Sequence, residues 1–567
     1  MEGLYNGLPL LCWSYFADQH LNQYFIVEVW KVGLRVSKDK DGVVRKEEIK
    51  DKLEKLLHDE GIRMRAMELK DMARKNEMDG GDSSKNFITF VDLIRSTQKL
   101  MNSLVPSGST MSSSTKPHVL AIPFPAQGHI MPLMQLSHRL IRRGFLVTFV
   151  NTEHIHERLM AAEQPGKPSS QDFAGEIKLV SIPDGCANGS DRKKFGTFSN
   201  IMLKEMPGPL ENLILDTNIR DAQKITCVIA DVHMFWALEV AEKLNITRVA
   251  FWPASAATFS VVASIPQLLE KRVIDSNGFL IEKRPVHLSD TMPAMDPAWF
   301  VWLNVGQENE KESFQFLLLC LQSIRSDHIL CNSFPEIEFP AINLIKNVMP
   351  IGPLLSDMHL QPSKLWTEDT SCLDWLDRQP ARSVIYVSFG SLTLLNQRQL
   401  LELAHGLELT GRPFLWVSRP DLMDGSPAVY PDGFAGTLAA GRGCVVEWAP
   451  QQEVLSHPSI ACFLTHCGWN STMEGLYHGL PLLCWSCFAD QHLNEYFIVE
   501  VWKVGLRVSK GKDGIVRKEE MKDMLEKLLK DERIRMRAME MKVRARKNVM
   551  EGGDSWKNFT TFVDLIS

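Results

Sequence analysis

From His118 onward the chain alternates short apolar runs, rich in β-branched residues, with amphipathic stretches, and this alternation restricts the fold more than any other feature. HVLAIPF, FLVTFVN, KLVSIP, TCVIAD and RVAFW come first, mostly flanked by Gly, Pro or Asn. After Pro353 the pattern restarts with SVIYVSF, PFLWVS, CVVEW, ACFLTH, PLLCW and VGLRV. Runs this apolar read as strands buried on both faces, which is the signature of a parallel sheet. Parallel neighbours need a crossover, usually a helix. Leu133–Arg143, Trp236–Leu244, Gln397–Leu407 and Leu493–Trp502 have the amphipathic pattern to supply it. Two successive βα arrays predict an α/β chain of two facing, Rossmann-like, doubly wound domains with a cleft between them. The boundary is expected after PIGPLL (350–355), in a loop running to a helix that begins near Cys372. One charged helix is expected over Lys518–Lys547, then a Gly-Gly break and a last helix.

A second feature is a repeat. Residues 1–94 align without a gap onto 473–566, and 78 of the 94 positions are identical. So long a period is no solenoid, whose repeats run roughly 20 to 50 residues. The copy at 1–94 begins inside a βα unit and lacks the strand that should precede it, so it is not expected to complete a sheet of its own. SLVPSGSTMSSSTK (103–116) reads as a linker. Residues 1–110 are therefore expected to be a duplicated, non-functional fragment with its linker, from a neighbouring tandem copy or a merged gene, with Met111 resembling an authentic start. The expected domains after it are 111–355 and 356–550, one for each βα array. The closing stretch 551–567 is expected to be a helix returning to the first of them.

Composition narrows the function. The chain has 567 residues, 23% of them charged, and a net charge of −6. That balance argues against a nucleic-acid or anionic-membrane partner. Eleven cysteines with one CxxC pair, Cys484 and Cys487, cannot complete a zinc site and fit reduced thiols better than a disulfide framework. No apolar run reaches the roughly 18 to 20 residues a membrane span needs. A cytoplasmic monomer is the expectation.

The densest chemical signal is WAPQQEVLSHPSIACFLTHCGWNSTMEGLYHGLPLLCWSCFADQ, Trp448 to Gln491. The ACFLTH strand ends at His466, and Cys467-Gly468 turn the chain into a helix near Asn470. Unpaired N–H groups at a helix start favour an anion, and Asn470 and Ser471 add side-chain hydrogen-bond groups. A phosphate there would lie at the carboxyl end of a strand, where open α/β sheets bind ligands. A plain N-capped helix explains any one of these residues equally well, and packed thiols explain the CWSC pair. No GxGxxG follows a strand and no P-loop is present.

This 44-residue stretch resembles, end to end, the signature box of plant family 1 UDP-glycosyltransferases. PFPAQGHIMP, VSFGS and DWLDRQP extend the likeness over roughly 117–567. The resemblance implies the GT-B fold and a set of donor-site roles. Trp448 would stack on uracil, with the Ala449, Pro450 and Gln451 backbone reading its edge. His466, Asn470 and Ser471, helped by Ser391, would hold the diphosphate. Glu474 would accept from the ribose hydroxyls, a task suited to a carboxylate. Trp469, Asp490 and Gln491 would face the sugar, and Cys467, Gly468, Thr472, Met473, Phe488 and Ala489 would complete the UDP-sugar site. A terminal Gln at 491 implies UDP-glucose as co-substrate, where His would suggest galactose.

On the acceptor side, His129 follows the first strand, in the turn opening a helix, and imidazole suits proton removal near neutral pH. Asp231, at the end of TCVIAD, is the candidate partner that fixes its tautomer, and the pair matches the family's His–Asp dyad. His138 and His154 are read as structural. The implied mechanism is displacement with inversion, with no metal and no other cofactor. The spacing of Asp39 and Asp41 suggests a DxD, but Gly511 replaces the first Asp in the full copy. Phe235, Trp236 and residues 255–310 are expected to line a pocket for a small lipophilic acceptor. The other readings are a chain disabled by its own duplicate, whose Glu2, Asp18 and Gln19 mirror Glu474, Asp490 and Gln491, and a transferase using another UDP-sugar.

Overall fold

In a computed structural model, the described residues are 8–13, 23, 25–37, 39, 44–77 and 116–567, apart from 163–176, 187–191, 193–194, 221–222, 356–365 and 424–427. Glu2, Asp18, Gln19, Asp41, Met111 and most of the linker lie outside them. The chain divides into two compact units, Met1–Ser113 and Ser114–Ser567.

In the smaller unit, β1 (Leu10–Cys12) pairs in parallel with β2 (Gly33–Arg35), followed by α1 (Lys46–His58) and α2 (Glu60–Glu77). These match, residue for residue, the four corresponding elements of its twin at 482–549. The packing differs. Leu8, Trp13 and Leu53 are 56%, 55% and 42% exposed, whereas their counterparts Leu480, Trp485 and Leu525 are 8%, 3% and 0% exposed. The same side chains need the rest of a sheet to cover them, and among the described residues of the smaller unit that sheet has only two strands.

The larger unit holds two parallel sheets. The first has seven strands in the order β5-β4-β3-β6-β7-β8-β9: β3 (His118–Ile122), β4 (Leu146–Thr152), β5 (Ile177–Ile182), β6 (Ile225–Asp231), β7 (Thr247–Trp252), β8 (His328–Cys331) and β9 (Val348–Pro350). The second has six, in the order β12-β11-β10-β13-β14-β15: β10 (Val384–Ser388), β11 (Phe414–Val417), β12 (Gly443–Val446), β13 (Ile460–Thr465), β14 (Leu482–Cys484) and β15 (Gly505–Arg507). The doubly wound α/β reading is borne out. The strands His328–Cys331 and Val348–Pro350 extend the first sheet beyond the five expected in it.

Strand order reverses between β3 and β6 in one sheet and between β10 and β13 in the other. At such a switch point the connections leave in opposite directions and open a crevice at the strands' carboxyl ends. The helices that matter are α3 (Gln127–Ile141), α4 (Phe235–Lys243), α5 (Glu310–Cys320), α6 (Gln397–Leu409), α7 (Trp469–His478) and α8 (Gln491–Tyr496). The single charged helix expected over 518–547 is instead two, α9 (Lys518–Lys530) and α10 (Glu532–Val549). Asp531 breaks it: its backbone is extended, and its carboxylate accepts from the N–H groups of Arg533 and Ile534, which caps the second helix. The last helix, α11 (Asp554–Ile566), buries Phe559, Phe562 and Val563 with side chains of the first sheet. Asn558 Nδ2 donates to the Pro350 carbonyl at 2.9 Å.

Candidate active site

One half of the site is built at the first switch point. β3 leads through Phe124 and Pro125 into α3, whose first turn carries His129. β6 ends on Asp231, which is fully buried. The two meet: His129 Nδ1 lies 2.7 Å from Asp231 Oδ2. The other oxygen, Oδ1, accepts from the backbone N–H of His233 at 2.9 Å and faces His233 Nδ1, also at 2.9 Å. Burial opposes charge on Asp231, but His129 and His233 outweigh it and hold the carboxyl well below the usual range. An ionised carboxylate only accepts, so both imidazoles present Nδ1–H to it, and in the neutral form of either ring Nε2 carries the lone pair. Burial pushes the His129 imidazole down, yet the charge and hydrogen bond of Asp231, with Asp490 beyond, leave it raised.

α3 starts six residues before the stretch the sequence suggested, and it contains Pro132. Proline has no N–H, so the Gly128 carbonyl, four residues earlier, loses its helical partner. Asn470 Nδ2, from the second sheet's side, donates to that carbonyl at 2.9 Å. The irregularity that hides the helix start thus ties the two halves of the site together. A second tie runs from the Trp469 indole N–H to the Asn332 carbonyl, 2.7 Å.

The other half of the site is built at the second switch point. β13 ends at Thr465, and Cys467 adopts a left-handed φ of 65°. Asn494 Nδ2 holds the Cys467 carbonyl at 3.0 Å. α7 then begins at Trp469 with no side-chain cap, leaving its first N–H groups open. His466 lies against both Gly390 and Gly468, where a Cβ at either position would collide with its ring. Burial and Arg419 push His466 down to about 4, so it is a neutral hydrogen-bonding group at neutral pH. Glu474 accepts from Gln451 Nε2 at 2.5 Å and Gln452 Nε2 at 3.3 Å, and burial pushes it up to about 7. Gln491 Oε1 accepts from the N–H groups of Cys487 and Phe488, at 2.9 and 3.2 Å, which leaves its NH2 as the free end. Burial raises the Asp490 carboxyl, although Asn494 Nδ2 donates to it at 2.9 Å. Trp448 stacks on Trp366, with centroids 5.5 Å apart and an interplanar angle of 17°, so only one indole face is open. Arg158 covers Trp366 at 5.0 Å.

Both halves open onto one cavity of about 510 Å³. It is lined by His129 and by Ser391, Trp448, Ala449, Pro450, Gln451, His466, Gly468, Trp469, Asn470, Ser471, Met473, Glu474, Phe488, Ala489, Asp490 and Gln491. Cys467 and Thr472 do not line it: both are fully buried, behind the turn. Phe235 and Trp236 do not line it either. They lie on α4 within the core, because the turn Val232–Met234 delays the helix and swings their side chains inward. The wall is formed instead by residues such as Phe124, Phe195, Trp252 and Leu317, with Thr258, Val301 and Val305 from the stretch 255–310. His138 and His154 stand outside it. His233 was missed in the sequence, where an Asp-x-His pattern was the only available signal. Among the described residues, no lysine or arginine lines the cavity. His129, Asp231 and His233 are the one trio there whose ligand-type atoms fall within 4.8 Å of one another, and they are engaged as a carboxylate shared by two imidazoles.

The pattern of the family described as UDP-glucoronosyl and UDP-glucosyl transferase matches residues 323–552. UDP-glycosyltransferase 83A1 of Arabidopsis thaliana is 40% identical over 462 residues, covering 80% of this chain and 97% of its own length. The chain belongs to the plant family 1 UDP-glycosyltransferases. Two solved relatives share the GT-B fold. A Polygonum tinctorium UDP-glucosyltransferase capable of glucosylating indoxyl, in complex with 3,4-dichloroaniline, superposes with a TM-score of 0.68 at 29% identity, over 80% of this chain and 99% of that one. Phytolacca americana UGT2, complexed with UDP-2fluoro-glucose and pterostilbene, gives 0.65 at 26% identity, with coverage of 80% and 99%. No helix among the described residues is long and apolar enough to cross a membrane.

Proposed function

We propose that this UDP-glycosyltransferase moves glucose from UDP-glucose to a hydroxyl or carboxyl of a small lipophilic acceptor, with inversion at the anomeric carbon. The observation that carries the reading is the 2.7 Å His129–Asp231 pair, opening onto the same cavity as the start of α7. His129 Nε2 takes the acceptor proton as the acceptor oxygen bonds to the anomeric carbon. The bond from that carbon to the diphosphate breaks, and UDP leaves with the electron pair. Asp231 stabilises the imidazolium that forms. With no Lys or Arg lining the cavity among the described residues, the open N–H groups of α7, His466, Asn470 and Ser471 take the growing charge, which makes a metal unnecessary. Trp448 offers one face to uracil, Glu474 accepts from ribose hydroxyls, and the free NH2 of Gln491, with Asp490, faces the sugar. Phe124, Phe195 and Trp252 favour a flat aromatic or terpenoid-like acceptor, in keeping with the indoxyl and pterostilbene of the two solved relatives. Eleven free cysteines suit a reducing cytoplasm, where we expect a monomer.

The test is transfer from UDP-glucose to a panel of phenols and terpenoid alcohols, read by mass shift. His129→Ala should lower turnover by about 10²–10⁴-fold, while UDP affinity stays within about twofold. Near-normal turnover in that variant ends the general-base assignment.

A further inference from the structure

We propose that His233 forms a second hydroxyl-binding point beside His129, so that the acceptor pocket selects molecules carrying two neighbouring hydroxyls, such as catechols and vicinal diols. The inference deepens the acceptor side of the function proposed above and rests on it. Three observations on His233 combine. Its Nδ1 is committed to Asp231 Oδ1 at 2.9 Å. Its ring is stacked with Trp252 at 5.7 Å and 22° and with Phe316 at 6.0 Å and 23°. Even so, the side chain keeps 16% of its surface and lines the cavity. With Nδ1 bonded and the ring flanked by aromatics, Nε2 is the polar atom of this side chain left to meet a ligand. Among the described residues that nitrogen has no hydrogen-bond partner.

Its chemistry follows from Asp231. The carboxylate accepts from Nδ1–H, so in the neutral ring Nε2 is a lone-pair acceptor that recognises an O–H donor. His129 makes the matching Nδ1 contact with the other carboxylate oxygen. The two rings lie edge to face, with centroids 5.0 Å apart at 87°, and both side chains line the same cavity, a spacing that suits neighbouring hydroxyls of one ligand. One hydroxyl would lose its proton to His129 and attack, while its neighbour donates to His233 and fixes which oxygen is attacked. The stack continues from Trp252 to Phe259 at 4.6 Å and 11°, which holds the His233 plane before ligand arrives. Such pre-organisation is what selective hydrogen bonding needs. A site built around a ligand hydroxyl discriminates against the analogue that lacks it, because its own polar atom is then left unpaired.

The experiment compares 4-methylcatechol with 4-methylphenol, by tryptophan-fluorescence binding in the presence of UDP and by transfer from UDP-glucose. The wild-type chain should bind the catechol about tenfold more tightly. His233→Phe keeps the stacked ring and should reduce that preference to near unity. His233→Asn can still donate to Asp231 from the Nδ1 position but lacks the far nitrogen, and it should lose the preference too. His233→Gln places a carboxamide oxygen near the Nε2 position and should restore part of it. A wild-type affinity ratio near one overturns the proposal, as does a preference that survives in both the Phe and Asn variants with melting curves intact. A binding preference of the expected size without sugar transfer to either compound would support the recognition site and count against the transferase reading of the pocket.

Discussion

Replacing Asp231 by Asn keeps shape and volume but alters the hydrogen-bond arithmetic of the dyad. The carboxylate uses one oxygen for His129 Nδ1 and the other for the N–H and Nδ1 of His233. A carboxamide has one oxygen and one NH2. If the oxygen stays with the two donors of His233, the NH2 faces His129 Nδ1, which must become an acceptor and carry its proton on Nε2. The base is then lost. The opposite flip saves His129 but sets the NH2 against the backbone N–H of His233 and drives that ring into its other tautomer. At about 1–2 kcal/mol for the unmade bond, the active tautomer is suppressed about 5- to 30-fold. Loss of the buried charge that stabilises the imidazolium adds to this. The expected fall in kcat/KM is about 10³–10⁴-fold, with UDP affinity unchanged because no donor residue is touched. The pH profile should move as well. In the wild type, Asp231 raises His129 despite its burial, so activity rises with pH through a value above the ordinary imidazole value of about 6.5. Without the charge, burial dominates and the acid limb should shift to lower pH. Steady-state rates from pH 5.5 to 9, calorimetric UDP titration and a melting curve decide the matter. A folded variant that loses less than tenfold, or whose acid limb stays in place, refutes the assignment.

Trp448→Ala removes the one open stacking face and should weaken UDP binding by about 1–3 kcal/mol; a calorimetric change below twofold would remove the uracil role. Gln491→His should lower kcat/KM for UDP-glucose relative to UDP-galactose, and an unchanged ratio across a UDP-sugar panel would detach donor choice from this residue. A chain beginning at Met111 should keep its melting temperature and activity and aggregate less, since it sheds the exposed Leu8, Trp13 and Leu53. A large drop in either property would make the duplicate part of the working fold, whereas activity only in the shorter chain would show that the duplicate disables the enzyme.

Much of the donor half was legible because its chemistry is local. Strand, turn and helix start follow one another within Ile460–His478, and short-range pattern reports short-range structure. The acceptor half was legible only as the pair His129 and Asp231. Its walls come from β7, α5 and the loops between them, and nothing in a periodicity announces which side chains converge. Phe235 and Trp236 failed as wall residues for this reason: the three-residue turn after Asp231 decides which way α4 faces. The break at Asp531 was missed because the charged pattern continues across it and only the backbone of one residue changes.

The order of apolar runs determined, by itself, two parallel sheets with crossover helices, since buried parallel strands permit little else. It also showed that one segment occurs twice. Only the tertiary structure decided that the two copies differ in what covers them, because burial depends on neighbours that identical sequences need not share. Likewise, only the folded chain brings residues 102 and 342 positions apart into contact, His129 with Asp231 and Gly128 with Asn470. A carboxylate shared between two imidazoles follows from where strand order reverses, and that is set by the whole sheet rather than by any stretch of it.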